Sequence, residues 1–184
     1  MNVTAVFPQK KQVEHHRQQG FTALELIIVL VVGFSIIALS ASKISALFSS
    51  SANAEAASNI LSISTEMMAL KSSNGYGADG DDMVPLLIQM KSIPKNMSIT
   101  GDKLFNQWGK EITIPVINSG AGYSINYQGV PAENCTKIGQ QLLKTGIYSS
   151  MEIGSEKIKT DAKIAEISKA CGTTAQAMTF NVGE

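Results

Sequence analysis

The stretch QQGFTALELIIVLVV, residues 18–32, sets one acidic side chain, Glu25, at the head of a run of aliphatic ones. No charge follows between residues 26 and 42, and Lys43 ends the run. Counted from Phe21, the apolar segment covers 22 residues (42 − 21 + 1), enough for a helix to cross a hydrocarbon core of about 30 Å. A carboxylate deep in such a segment costs on the order of 2.5 to 3.5 kcal/mol on insertion scales. Glu25 therefore needs either a partner for its charge or a place at the interface, to which charges near helix ends snorkel. Upstream, Lys10, Lys11 and Arg17 against Glu14 give the first 20 residues a local charge of about +2. The positive-inside rule keeps that leader in the cytoplasm and exports the chain beyond the apolar run.

A secretory signal peptide is the competing reading. ALSAS at residues 38–42 offers small side chains for a cut, which makes the product a secreted binding module beginning near Lys43. Against it stand the long polar leader, the position of Glu25 and the pattern beyond Lys43. No proline or glycine interrupts the chain from there to Gly75, and Ala52, Ala56, Ile60, Ile63, Met67 and Leu70 recur at spacings of three and four. Ser58, Asn59, Ser62 and Glu66 fall between them. The pattern predicts one helix over residues 21–73, roughly 80 Å at 1.5 Å per residue, apolar all round in its first half and amphipathic in its second.

Composition narrows the chemistry. The chain has 184 residues, 44% of them hydrophobic, and a formal net charge of zero, which suits one globular unit plus an anchor. It has no basic stripe to neutralise a phosphate backbone, so nucleic acid is not expected as a main partner. Its two histidines, His15 and His16, both lie in the leader. Loss of the leader removes imidazole acid–base catalysis, Ser/His and Cys/His nucleophiles and the usual zinc sites together. No catalytic constellation, metal site or cofactor is expected, and a membrane-anchored or secreted enzyme has nothing to work with. Cys135 and Cys171 are 36 positions apart, far from CxxC spacing. They are either a structural disulfide, worth roughly 3 to 4 kcal/mol in the chain-entropy account, or two buried free thiols.

Beyond the long helix, NGYGADGDD at residues 74–82 supplies turn chemistry; its Asp79, Asp81 and Asp82 lack the order of a calcium loop and read as a solvated turn. A short helix is predicted over residues 82–91, ahead of Pro94. Ile112, Ile114 and Val116 alternate on one strand and Tyr123, Ile125 and Tyr127 on the next, with NSGAG between them as a hairpin loop. Pro115 argues for an edge or a bulge, and Trp108 for an anchor of the core or sheet edge. A helix is predicted over residues 131–144, then a strand near 147–153, a helix from about Asp161, and a terminal strand turning Met178, Phe180 and Val182 inward. The order predicts an α+β fold: a long N-terminal helix as spine, packed against an antiparallel sheet with short flanking helices.

GFTALE at residues 20–25, after a basic leader and before an uncharged run, resembles the prepilin motif of type IV pilins. That resemblance implies cleavage between Gly20 and Phe21 by a membrane prepilin peptidase, N-methylation of Phe21, and pairing of the new amine of an incoming subunit with a buried Glu25. A paired charge is tolerable where a lone one is not, and it fixes register. The rest resembles the type IVb subgroup, which includes bundle-forming, toxin-coregulated and plasmid thin pilus pilins. A 20-residue leader fits that subgroup, while Phe21 is more usual in the short-leader one. YSINYQGVPAENC and FNQWGKEITI look like its sheet and strand-to-helix regions, and Cys135 with Cys171 match by place its C-terminal disulfide. The implied divisions are a leader at 1–20, a transmembrane and filament-core half-helix at 21–47 and a pilin head at 48–184. The implied product is a pilin, the major subunit of a homopolymeric surface filament for adhesion, aggregation or mating-pair contact. It would be held in the inner membrane with its head in the periplasm and then exported by a platform protein and a cytoplasmic assembly ATPase. A minor pilin or a type II secretion pseudopilin is the neighbouring alternative; the cysteine pair argues against the pseudopilin.

Overall fold

The structure, a computed structural model, describes residues 22–183 and, within them, the side chains outside residues 38–49. The chain divides into two units, Met1–Lys43 and Ile44–Glu184. Helix α1 (Ala23–Leu70) begins in the first and ends in the second. The expected leader at 1–20, the cleavage point at Gly20 and the residue Phe21 lie outside the described residues.

In the first unit, the large aliphatic and aromatic side chains of α1 from Leu24 to Ile37 are all exposed, by 50 to 68%. Among the described residues no helix is long and apolar enough to cross a membrane. The uncharged run with described side chains covers residues 26–37, 12 positions and about 18 Å of helix, short of a ~30 Å core. The span expected over residues 21–42 thus extends past what is described.

In the second unit α1 turns one face inward. Ala56, Ile60, Ile63 and Met67 are fully buried, as the spacing predicts, while Ala52 and Leu70 of the same stripe are half-buried; Ala57 and the polar Asn53, Asn59 and Ser64 are buried as well. Asn59 was expected among the outward polar residues and is instead 4% exposed. The helix stops at Leu70 rather than at residue 73, because Ser72 and Gly75 exchange backbone hydrogen bonds of 3.2 and 3.1 Å, and the Ser72 hydroxyl donates to the Gly75 carbonyl at 2.7 Å. Helix α2 (Val84–Gln89) is shorter than the predicted 82–91. Asp82 is not its first residue: its carboxylate accepts from the Val84 N–H at 3.1 Å and from the Ile114 N–H at 2.8 Å, tying the helix start to the sheet.

The sheet strands are β1 (Ser98–Thr100), β2 (Lys103–Phe105), β3 (Glu111–Thr113), β4 (Val116–Ile117), β5 (Gly122–Val130), β6 (Ser150–Ile153), β7 (Glu156–Lys159) and β8 (Gln176–Val182). Helices α3 (Ala132–Leu143) and α4 (Ile164–Cys171) flank β6 and β7 in sequence. The order across the sheet is β1-β2-β3-β5-β8-β6-β7, with β4 beside β5, and every pairing is antiparallel. The last strand therefore lies inside the sheet, between β5 and β6. Pro115 falls in the gap between β3 and β4, where it lacks a donor for the ladder; Asp82 runs alongside it there, and Met83 and Val116 make backbone bonds to Ile114 and Asp81 of 3.0 and 2.9 Å. Ile112, Ile114, Val116, Tyr123, Ile125, Tyr127, Met178 and Phe180 are buried in one core with the inward face of α1.

Three strands were not read from the sequence. β1 and β2 are three residues each, joined by Gly101 and Asp102, and β7 is the polar EKIK, of which only Ile158 is buried.

Candidate functional site

The first candidate region is the start of α1. The Glu25 N–H donates to the Thr22 hydroxyl at 3.3 Å and the Leu26 N–H to the Thr22 carbonyl at 3.1 Å, so Thr22 caps the helix with Glu25 at its third position. An anionic side chain in a first turn also meets the positive end of the helix dipole. Glu25 is exposed, at the head of the exposed apolar stretch from Leu24 to Ile37. Thr22 was not picked out from the sequence. The Thr-x-x-Glu spacing of residues 22–25, a capping-box pattern, was the available signal.

The second region is the groove that receives residues 53–67. The Ser64 hydroxyl donates to the Ile60 carbonyl at 2.9 Å and lies 2.8 Å from the Tyr148 hydroxyl, which is then left to donate to it. Tyr123 donates from its hydroxyl to the Ser64 carbonyl at 3.2 Å. At the other end of this segment the Asn134 amide donates to Asn53 Oδ1 at 2.7 Å, and Gln107 donates to the Ala52 carbonyl at 3.0 Å while accepting from Tyr127 at 2.6 Å. Burial pushes the phenol of Tyr148 up to about 12, against a partial lowering by its Ser64 bond. Burial likewise raises Tyr123 and Tyr127, the latter further through the nearby Glu55 charge. These tyrosines are neutral hydrogen-bonding anchors at neutral pH. Trp108 stacks edge-on to Tyr127 at 6.1 Å, half-buried at the margin of this core.

The third region is closed by a disulfide between Cys135 on α3 and Cys171 at the end of α4, with Cα atoms 5.8 Å apart and both residues buried. The bond clips the two helices together around the β6–β7 hairpin. Gly139 lets α3 approach closely, since a Cβ there would stand 3.1 to 3.3 Å from Met151, Ile167 and Met178. The acidic loop is spent on structure: Asp79 accepts from the Gly120 N–H at 3.3 Å, Asp81 from the Ala78 N–H at 3.0 Å, and Asp82 ties α2 to the sheet. Among the described residues no group of three or more metal-ligating side chains comes together. Both histidines lie outside the described residues.

A helix feeding a single antiparallel sheet, with the last strand inside it and a disulfide-closed excursion before that strand, is the architecture of the type IV pilins. The type IV b pilin from Salmonella typhi superposes with a TM-score of 0.61 at 21% identity, over 70% of this chain and 97% of that one. TcpA, a type IV pilin from the El Tor biotype of Vibrio cholerae, superposes with a TM-score of 0.51 at 13% identity, over 71% of this chain and 98% of that one. No curated protein matches the sequence. The family profile described as PilS N terminal matches residues 49–182. The chain belongs to the PilS family, and among type IV pilins it is most like the type IVb group.

Proposed function

We propose that this pilin is the major structural subunit of a type IVb pilus, without enzymatic activity of its own. In this reading it is cut after Gly20, N-methylated at Phe21 and stored in the inner membrane with its head in the periplasm. It is then polymerised with copies of itself into a surface filament for adhesion, aggregation or mating-pair contact. A prepilin peptidase, a platform protein and an assembly ATPase act on it. The observation that carries the proposal is the uninterrupted exposure of the apolar side chains from Leu24 to Ile37 on a helix headed by Glu25. An aliphatic surface of that extent needs lipid or like helices to cover it, and a carboxylate at its head needs a cation. The amine of a neighbouring Phe21 is such a cation.

Mass spectrometry of the protein recovered from its own cell surface tests the pathway. A mature chain beginning at Phe21 with one added methyl group is expected. An N-terminus near Lys43, or an uncut Met1, overturns it and returns the protein to the secreted or anchored binding modules.

A further inference from the structure

The face that α1 turns into the head reads NxxAAxNIxxISxxM over residues 53–67, and every lettered position is buried. Twenty-four residues earlier, 29–43 read VxxVGxSIxxLSxxK on the same spacing (53 − 29 = 24). Gly33, Ser35, Ile36, Leu39 and Ser40 keep the size or polarity of Ala57, Asn59, Ile60, Ile63 and Ser64. The aliphatic half of the helix thus carries a near copy of the pattern that fills the head, and by apolar content alone it is the stronger candidate for a buried groove. A second chain at high local concentration supplies such a competitor whenever a head is not yet filled.

Three positions break the likeness: Val32 adds two methyl groups where the fully buried Ala56 stands, and the other two change polarity. Val29 stands for Asn53, whose Oδ1 takes the 2.7 Å bond from Asn134, itself 2% exposed. Lys43 stands for Met67, which is fully buried. The Ser64–Tyr148 bond does not discriminate, because Ser40 can reproduce it. Asn53 Nδ2 is moreover buried with no partner among the described residues, so this amide pair is not the arrangement that would stabilise the groove most. A polar pair kept at a cost in stability, in a largely apolar helix seam, is the known device for fixing register.

We propose that Asn53 with Asn134, seconded by Met67, is a register discriminator that admits residues 53–67 to the head and rejects the aliphatic half-helix of a second copy. A wrong helix would deprive the Asn134 amide of the Asn53 acceptor and drive an ammonium into the core. The discrimination needs only the head. Its use, keeping the apolar half available for assembly, rests on the filament reading above.

The test compares full-length chains in detergent, without assembly machinery, so that its outcome is separate from that of the N-terminal mass measurement. Val29→Asn/Lys43→Met supplies the competing half-helix with the two missing features and leaves the head sequence intact. Its dimer fraction by light scattering should rise about tenfold over the parent, with amide-exchange protection gained over residues 29–43. Val31→Asn/Lys43→Met, which removes the same lysine but sets the amide off register, should rise well short of the matched variant. A matched variant indistinguishable from the parent overturns the proposal, as does equal dimerisation of the off-register control. Asn134→Leu in the parent should also raise the dimer fraction; a folded Asn134→Leu chain that stays monomeric counts against it.

Discussion

Glu25 and Tyr148 are two polar side chains in apolar company, and each is tolerated for a different reason. Glu25 is exposed in the described chain, where the Thr22 cap and the helix N-terminus suit it. In the filament core proposed above those comforts are insufficient, and a cationic partner is needed. Glu25→Val is therefore expected to leave membrane insertion intact or improved while filaments sheared from cells fall to a small fraction of the parent amount. Normal filament yield from that variant would remove the pairing account. Tyr148 is held neutral by burial, its phenol pushed up to about 12 from the ordinary 10.0. A raised folded-state value means that the protonated group contributes stability fully below about pH 10 and loses it as pH climbs toward 12. Chemical denaturation followed across that range should show midpoints flat up to about pH 10 and falling beyond, with Tyr123 and Tyr127 adding to the fall in the same direction. Tyr148→Phe should be less stable than the parent at neutral pH and show a shallower alkaline loss.

At the scale of elements, the cysteine pair and the glycine turns decide how helices and strands meet. Cys135→Ser opens the link between α3 and α4, and removal of such a bond from a small exported domain typically costs about 2 to 5 kcal/mol. Thermal melting of the variant should register that loss. Where α1 gives way to the loop, Gly75 has φ +87°, and a Cβ there would collide with the Gly120 carbonyl that accepts the Tyr76 N–H at 2.9 Å. Gly75→Ala should lower stability by more than about 1 kcal/mol, measured by denaturant midpoint, because both the left-handed backbone and the close approach oppose it. This contact also shows what sequence patterning could reach. The Gly75 turn and the loop over residues 118–121 were legible as turns, each from its own residues, but that they close on one another is a tertiary fact with no local signature. The same limit hid β7, whose EKIK reads as solvated charge because only Ile158 faces the core. It hid β1 and β2 as well, too short to show alternation around Gly101 and Asp102.

For the whole molecule, the broad plan was legible because two long-period signals run through it: the unbroken three- and four-residue spacing of α1 and the period-two runs of β5 and β8. Ile112, Ile114, Val116, Tyr123, Ile125, Tyr127, Met178 and Phe180 sit in the core as their alternation requires. The polar residues inside the α1 groove were less accessible to such reasoning. Asn53 and Ser64 look like surface positions until Asn134 and Tyr148, more than 80 residues away, are brought against them. Family membership followed from the head, over residues 49–182, whereas the processing motif lies outside the described residues up to Phe21. The head and the leader thus speak to different halves of the filament reading, and the mass of the mature N-terminus joins them.

The place of β8 in the sheet carries one more consequence. In the ladder of the described residues β5 and β6 are joined through β8, so the part of the sheet holding β6 and β7 pairs with the rest once Gln176–Val182 is in place. A ribosome must therefore complete the sequence through Val182 before the sheet can close, and a nascent chain halted near residue 170 would lack the strand that joins its two parts. Truncating even its last ten or so residues should leave the sheet in two parts and the polypeptide open to proteases.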